Sequence, residues 1–529
     1  MNHRASGTRG RSDTAARLPR LAVVSCLWSC LCVLAVGPVE AASCEELRSL
    51  QLPDVRIVSA DARASGPFAL PAGRGDVTLT LPAFCRVVAV ATPTPDSEIR
   101  FEVWLPSADD WNGRLLGVGN GGYTGAIGYP ALADGLRGGY ASVGSDTGHR
   151  GSDLVFGVGH PEKIADWGHR AVHAMTEAAK PIVRAYHGRF AHHAYFSGCS
   201  TGGHQALSEA QRYPDDYDGI LAGAPGHNRT RLNAGFLWSW MALHDVDGAA
   251  LMPPEKLSTL AAAVMASCDA VDGVADGVID NPGRCRFDPA ALRCTGGDQA
   301  DCLTDTQVEA VRKVYAGPRN PRTGERVFAG WSPGSESLGD GRGGWAGYLL
   351  RPPEPMRLGY WARWVFGDPH WDWRTFDWDR DLDYAQRRME TVDATDPDLG
   401  AFRRRGGKLL LYAGWADAVV PASDTTAYYE AVQQASGGPD TTATFARLFT
   451  VPGMGHCGGG PGPGTFDGLG ALARWVETGA GPDRLIASKV VNGVVERTRP
   501  LCPYPQVARY TGGGSTDEAE NFRCVVPAD

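Results

Sequence analysis

A serine, an aspartate and a histidine in this 529-residue chain have the types and spacing for nucleophilic chemistry at a carbonyl group. Ser200 lies in Gly198-Cys199-Ser200-Thr201-Gly202-Gly203, a match to G-x-S-x-G. Glycines flank such a serine because side chains would clash where a strand folds sharply back into a helix. Serine is a poor nucleophile until a histidine takes its proton, and that histidine needs a carboxylate to fix its tautomer and stabilise the imidazolium. Asp417, in Tyr412-Ala413-Gly414-Trp415-Ala416-Asp417, and His456, in Pro452-Gly453-Met454-Gly455-His456-Cys457, supply both. Taken singly, they read as an exposed loop aspartate and a capping histidine. Each follows an apolar strand-like run, however, and the order Ser, Asp, His is that of one large class of hydrolases.

Two cysteines give a second view of the same residues. Cys199 precedes Ser200 and Cys457 follows His456, so a bridge between them requires a fold that brings serine and histidine together. The negative charge that develops on a carbonyl oxygen under attack needs two backbone N–H groups, one from the residue after the serine and one from a loop after an early strand. Thr201 is placed for the first, and Gly122 in Gly117-Val118-Gly119-Asn120-Gly121-Gly122-Tyr123 for the second. A phosphate-loop reading of this glycine run fails for want of a following Lys-Ser/Thr. Asp146 and His149 precede the serine and read as structural.

Alternating strand-like and helix-like runs must position these groups. They occur over 99–105, 114–118, 140–144, 171–186, 193–197 and 220–224, and resume over 407–413, 446–451 and 469–477, the α/β pattern. The predicted fold is an α/β-hydrolase core interrupted by a large lid domain stabilised by disulfides and calcium. Its parts are a signal peptide (1–41), the first part of the core (42–225), the lid insertion (226–400) and the second part of the core (401–529). The insertion is rich in Trp, Asp, Gly and Pro and shows few long periodic stretches. Its ring-dense segment from Tyr360 to Trp373 reads mainly as the core of a small domain, with some rings left to line an aromatic pocket.

The N-terminus carries Arg4, Arg9, Arg11, Arg17 and Arg20, then an apolar run from Leu21 to Val36 and small residues to Ala42. This is the pattern of an export signal cleaved near Ala41, and the run is short for a membrane span. Lipidation at Cys44 is the alternative, for which Ala41-Ala42-Ser43-Cys44 is a poor match. A secreted or periplasmic location follows. A net charge of −9 argues against nucleic acid and polybasic membrane contact. A small neutral or weakly anionic partner suits that charge, and a monomer or weak homo-oligomer is expected.

Three of the 13 cysteines fall in the signal, and the other ten would meet an oxidising compartment. Proximity suggests Cys44 with Cys85, Cys268 with Cys285, Cys294 with Cys302 and Cys502 with Cys524, leaving Cys199 for Cys457. Sequence alone does not fix connectivity. Zinc is not expected, since the mature chain has no C-x-x-C. The run Asp269-Ala270-Val271-Asp272-Gly273-Val274-Ala275-Asp276-Gly277-Val278 offers hard oxygens on a tight loop, which suits calcium. The expected ligands are the carboxylates of Asp269, Asp272 and Asp276 and the carbonyls of Val274 and Val278. The plainer reading is two Asp-Gly turns. No organic cofactor is expected.

From about Cys44 to Cys524 the chain resembles the tannase and feruloyl esterase family of secreted α/β-hydrolases, which includes terephthalate monoester hydrolases. The resemblance rests on Trp111-Asn112-Gly113-Arg114, the Gly119 to Gly122 run, the Ser200 motif, the Asp269 to Val278 loop, Asp417, Val451-Pro452-Gly453-Met454 with His456-Cys457, and Arg499-Pro500-Leu501-Cys502-Pro503-Tyr504-Pro505. It implies bonded cysteines beside serine and histidine, calcium in the lid loop and a lid closing over an aromatic acid. Asp368-Pro369-His370-Trp371-Asp372-Trp373-Arg374 is similar to the feruloyl esterase and tannase branch. Arg357 and Arg363 are the candidates for the carboxylate-binding arginine of the terephthalate branch. The implied activity is hydrolysis of esters of hydroxylated aromatic acids through an acyl-enzyme. Galloyl esters and terephthalate monoesters are alternative substrates, and a catalytically silent aromatic-glycoside binder is the non-enzyme alternative.

Overall fold

Nine strands pair into one sheet: β1 (Val55–Arg63), β2 (Phe84–Ala91), β3 (Ile99–Pro106), β4 (Arg114–Val118), β5 (Ala141–Ser145), β6 (His193–Cys199), β7 (Gly219–Gly223), β8 (Lys408–Gly414) and β9 (Ala446–Val451). The spatial order is β1-β2-β3-β5-β4-β6-β7-β8-β9. Pairings from β1 through β3 to β5 are antiparallel, and all those from β5 to β9 are parallel. The computed structural model describes residues 41–71, 77–338, 344–350 and 354–527. Apart from its last residue, the export signal expected over 1–41 lies outside them. Among the described residues no helix is long and apolar enough to cross a membrane.

The parallel strands are apolar on both faces, as a sheet covered on two sides requires. Successive side chains alternate between faces. Thus Leu409 and Leu411 of β8 join Phe196 in the cluster against helices α1 (Ala171–His187) and α2 (Thr201–Arg212), while Leu410 joins Tyr195 and Phe449 in the cluster on the other face. Register sets where these strands end. Val118 pairs with Ser197, Cys199 with Gly223, Tyr412 with Gly223 and Gly414 with Val451. The carboxyl ends of β4, β6, β7, β8 and β9 therefore share one edge, and ligands of open α/β sheets bind beyond such an edge.

Between β7 and β8 the chain leaves the sheet. This stretch begins with helix α3 (Arg229–Leu243) and includes helices over Lys256–Cys268, Asp305–Ala316 and Arg380–Arg388, more regular structure than its sequence pattern suggests. Its apolar cluster takes in Trp240, Trp331, Trp345, Trp361 and Trp364, together with Tyr123 and Trp167 from the sheet-side loops. Of the ring-dense segment, Tyr360, Trp361, Trp364 and Trp373 are buried and serve as core. Among the described residues five disulfides join Cys44 to Cys85, Cys199 to Cys457, Cys268 to Cys285, Cys294 to Cys302 and Cys502 to Cys524. Cys44 thus has no thiol for a lipid in this state.

Candidate active site

Ser200 stands between β6 and α2 with φ 65° and ψ −116°, a conformation that costs free energy in a non-glycine residue and is held only by firm surroundings. Its N–H donates to the Gly223 carbonyl at 3.0 Å, and its own carbonyl accepts from the N–H groups of His204 and Gly226. A Cβ on Gly198 would lie 2.6 Å from the Gly202 Cα, so the predicted glycine requirement of the turn has a definite steric cause. The result is a serine half-exposed at the carboxyl end of a central strand and at the N-terminus of a helix.

His456 follows β9 and Asp417 follows β8. The His456 Nδ1–H donates to Asp417 Oδ2 at 2.8 Å. The other aspartate oxygen accepts the Val419 and Val420 N–H groups at 2.7 and 2.9 Å, and Asp417 is buried. The carboxylate is thereby oriented from behind, and it presents His456 with Nε2 free of its own hydrogen. The Cys199–Cys457 bridge, with 5.9 Å between Cα atoms, ties the segment carrying Ser200 to the segment carrying His456.

The glycine run lies against the serine turn. A Cβ on Gly119 would meet the Gly202 Cα at 2.5 Å, and the Asn120 N–H donates to Gln205 Oε1 at 3.0 Å. Gly122 has φ 55°, and its carbonyl accepts the Thr201 hydroxyl at 2.7 Å. The two segments expected to donate to an oxyanion are thus bonded to one another. Tyr123, the next residue, stacks on Trp167 with centroids 4.6 Å apart. Trp167 comes from a π-turn at Asp166–Arg170, a distortion common at functional sites. Asp146 and His149 support this loop. Asp146 Oδ1 accepts the Arg100 and Gly148 N–H groups, and the His149 Nε2–H donates to the Tyr123 carbonyl at 2.9 Å. Burial pushes the Asp146 carboxyl up to about 7.

A cleft of about 400 Å³ opens beside Gly122, walled by Tyr123, Leu154, Met356, Arg357 and Arg363. Arg363 is paired with Asp153 at 2.9 Å. Arg357 sits over the Tyr123 ring, 5.3 Å from its centroid.

The Asp-rich loop turns through Gly273 and Gly277, both left-handed. Asp269 accepts from the N–H groups of Asp276, Gly277 and Val278, and Asp276 pairs with Arg499. Asp272 and Asp280 border a cavity of about 20 Å³, the size of one small ion or water. Burial, and then the charge of Asp272, push Asp280 up to about 7. Two adjacent half-buried carboxylates and loop oxygens fit a hard cation, although no cluster of three His, Cys, Asp or Glu side chains converges among the described residues. Sequence reasoning passed over Asp280, which sits four residues beyond Asp276 as Asp276 sits four beyond Asp272. It also passed over Trp167 and Arg229, which only burial reveals.

A model described as tannase and feruloyl esterase matches residues 85–525. The chain belongs to this family. An uncharacterized esterase of Xanthomonas campestris pv. campestris is 41% identical over 92% of this chain and 91% of that protein. A mono(2-hydroxyethyl) terephthalate hydrolase of Piscinibacter sakaiensis is 36% identical over 84% and 85%. The crystal structure of feruloyl esterase B from Aspergillus oryzae superposes with a TM-score of 0.84 at 29% identity, covering 91% of this chain and 99% of that one. Like that relative, this tannase and feruloyl esterase family member has a mixed α/β fold around a large, mostly parallel sheet. It is a carboxylic ester hydrolase.

Proposed function

We propose that the protein hydrolyses esters of hydroxylated aromatic acids, feruloyl esters foremost, through an acyl-enzyme on Ser200. In this reading Ser200 Oγ attacks the ester carbonyl carbon as His456 Nε2 takes its proton. Asp417 holds the imidazolium through Nδ1–H. The Thr201 and Gly122 N–H groups receive the carbonyl oxygen as it becomes negative. Collapse of the tetrahedral species expels the alcohol, which leaves with the proton from His456. Water then gives a proton to His456 and attacks the acyl-serine, and collapse releases the acid as His456 returns that proton to Ser200 Oγ. The observation that carries the reading is the 2.8 Å His456–Asp417 bond on a segment disulfide-bonded to the serine turn.

Three further proposals belong to it. Residues 226–400 act as a lid over the acid. The loop at 269–278 takes a calcium ion through Asp269, Asp272, Asp276, Val274 and Val278, with structural effect. The five disulfides and the N-terminal pattern support a secreted or periplasmic location. A second reading, terephthalate monoester hydrolysis, is favoured by Arg357, which borders the cleft beside Gly122 and joins no ion pair among the described residues.

The test is initial rates on methyl ferulate, methyl gallate and mono(2-hydroxyethyl) terephthalate, with Ser200→Ala as control. Ser200-dependent preference for methyl ferulate supports the proposal, and preference for the terephthalate ester moves the assignment to the second reading. Absence of Ser200-dependent turnover on all three refutes the substrate class and favours a non-catalytic binder.

A further inference from the structure

Arg229 opens α3 just beyond β7 and is 6% exposed. Its placement is costly in three ways. Burial lowers the guanidinium pKa, and the nearby Arg357 cation lowers it further. A cation at a helix N-terminus opposes the helix dipole. Its Nε has no hydrogen-bond partner, and no carboxylate lies within ion-pair range among the described residues. Removing a charge from water without a paired partner is unfavourable, and an apolar residue here would avoid that cost.

What the guanidinium touches suggests why it is there. It lies 5.5 Å from the Tyr123 ring and 5.3 Å from the Trp167 ring, and Nη2 donates to Thr201 Oγ1 at 3.2 Å. Thr201 has one hydroxyl hydrogen, which goes to the Gly122 carbonyl at 2.7 Å, because a carbonyl only accepts. The threonine lone pairs are therefore open to Arg229, and the direction of the chain is fixed: Arg229 N–H to Thr201 O–H to Gly122 C=O. The two backbone segments expected to stabilise the oxyanion are joined by one relay whose outer end is a rigid, planar donor.

We propose that Arg229 is a positioning residue for the oxyanion hole, acting through the Thr201 hydroxyl to hold the Thr201 and Gly122 segments at the spacing the tetrahedral intermediate requires. The inference rests on the esterase reading above. Misplaced donors weaken binding of the transition state more than of the substrate, so the signature is a loss in kcat with little change in KM.

The test uses the full-length protein on p-nitrophenyl acetate and methyl ferulate, with phenylboronic acid as a probe whose tetrahedral serine adduct mimics the intermediate. For Arg229→Met, kcat is expected to fall roughly 10- to 100-fold, less than the roughly 10²- to 10³-fold lost with a donor itself. KM should stay within about twofold and boronate affinity should fall in parallel with kcat. Arg229→Lys, which keeps donors but not the planar fork, should recover part of the rate. If Arg229→Met does not fold, Thr201→Val breaks the relay from its other end and should give the same split. In the double variant the two losses should not multiply. Unchanged kcat with a lowered melting temperature would make Arg229 only a stacking residue and overturn the proposal, as would a rise in KM alone or fully multiplicative losses. A wild-type protein without Ser200-dependent turnover would instead refute the esterase reading.

Discussion

Replacing Asp417 by asparagine tests the orientation of His456 with almost no change in shape. In the native site one aspartate oxygen takes the Val419 and Val420 N–H groups at 2.7 and 2.9 Å and the other takes the His456 Nδ1–H at 2.8 Å. An asparagine must keep its oxygen toward the two backbone donors, because an amide NH₂ there would oppose both. Its nitrogen then faces His456 and donates to Nδ1, which forces the ring proton onto Nε2, where it cannot accept from serine. The expected loss in kcat is about 10⁴-fold, or about 5.5 kcal/mol of barrier. Asp417→Ala strands the two buried N–H groups at about 1–3 kcal/mol each, yet leaves the imidazole free to adopt either tautomer. The chemistry therefore predicts that the asparagine variant keeps its melting temperature and loses the rate, while the alanine variant loses stability. Ester hydrolysis by stopped assay and thermal unfolding of all three proteins check this. An Asp417→Asn enzyme within tenfold of wild type would refute the assigned role.

Serine at both Cys199 and Cys457 should lower kcat and stability together, since the chain-entropy model gives about 5.5 kcal/mol for closing so long a loop; thermal unfolding and ester assays measure both. Asp146→Asn keeps the acceptor for Arg100 and Gly148. Folded Asp146, at about 7 against an ordinary 3.8, binds more protons than the unfolded state between those values, so wild-type stability falls as pH rises across that window and levels off above it. The variant's advantage should be near zero at pH 4 and reach on the order of 4 kcal/mol by pH 8; parallel melting-temperature curves would contradict this. Removing calcium with EGTA should lower the melting temperature, and added calcium should restore it where magnesium does not, because a loop of carboxylates and carbonyls suits the larger ion; an unchanged temperature after verified chelation speaks against the ion.

The sequence was most legible where a local rule leaves few choices. Strands β4 and β9 fall at Arg114–Val118 and Ala446–Val451 as their apolar runs predict, and the glycines around Ser200 mark the turn because no side chain fits there. Strands β1 and β2 were not read from the sequence. The burial pattern of β1 alternates between half-buried and exposed, which leaves a weak apolar signal. Helix α3 was hidden for the opposite reason: it is buried on most sides, so the periodicity that reveals a surface helix is lost. Arg229 and Trp167 could not be found from pattern, since their roles come from contacts between segments far apart in the chain.

The 258 residues separating Cys199 from Cys457 also set a timetable. At roughly 5–20 residues per second, the ribosome finishes the serine turn on the order of 10–50 s before His456 exists. For as long as the partner is missing, Cys199 shares the growing chain with Cys268, Cys285, Cys294 and Cys302, any of which is a wrong partner. Loop closure is easier over short separations, and the bridges 17 and 8 residues apart can close among themselves and remove those competitors. By closing first, the small local bridges of the insertion would leave Cys199 available for the last segment to arrive.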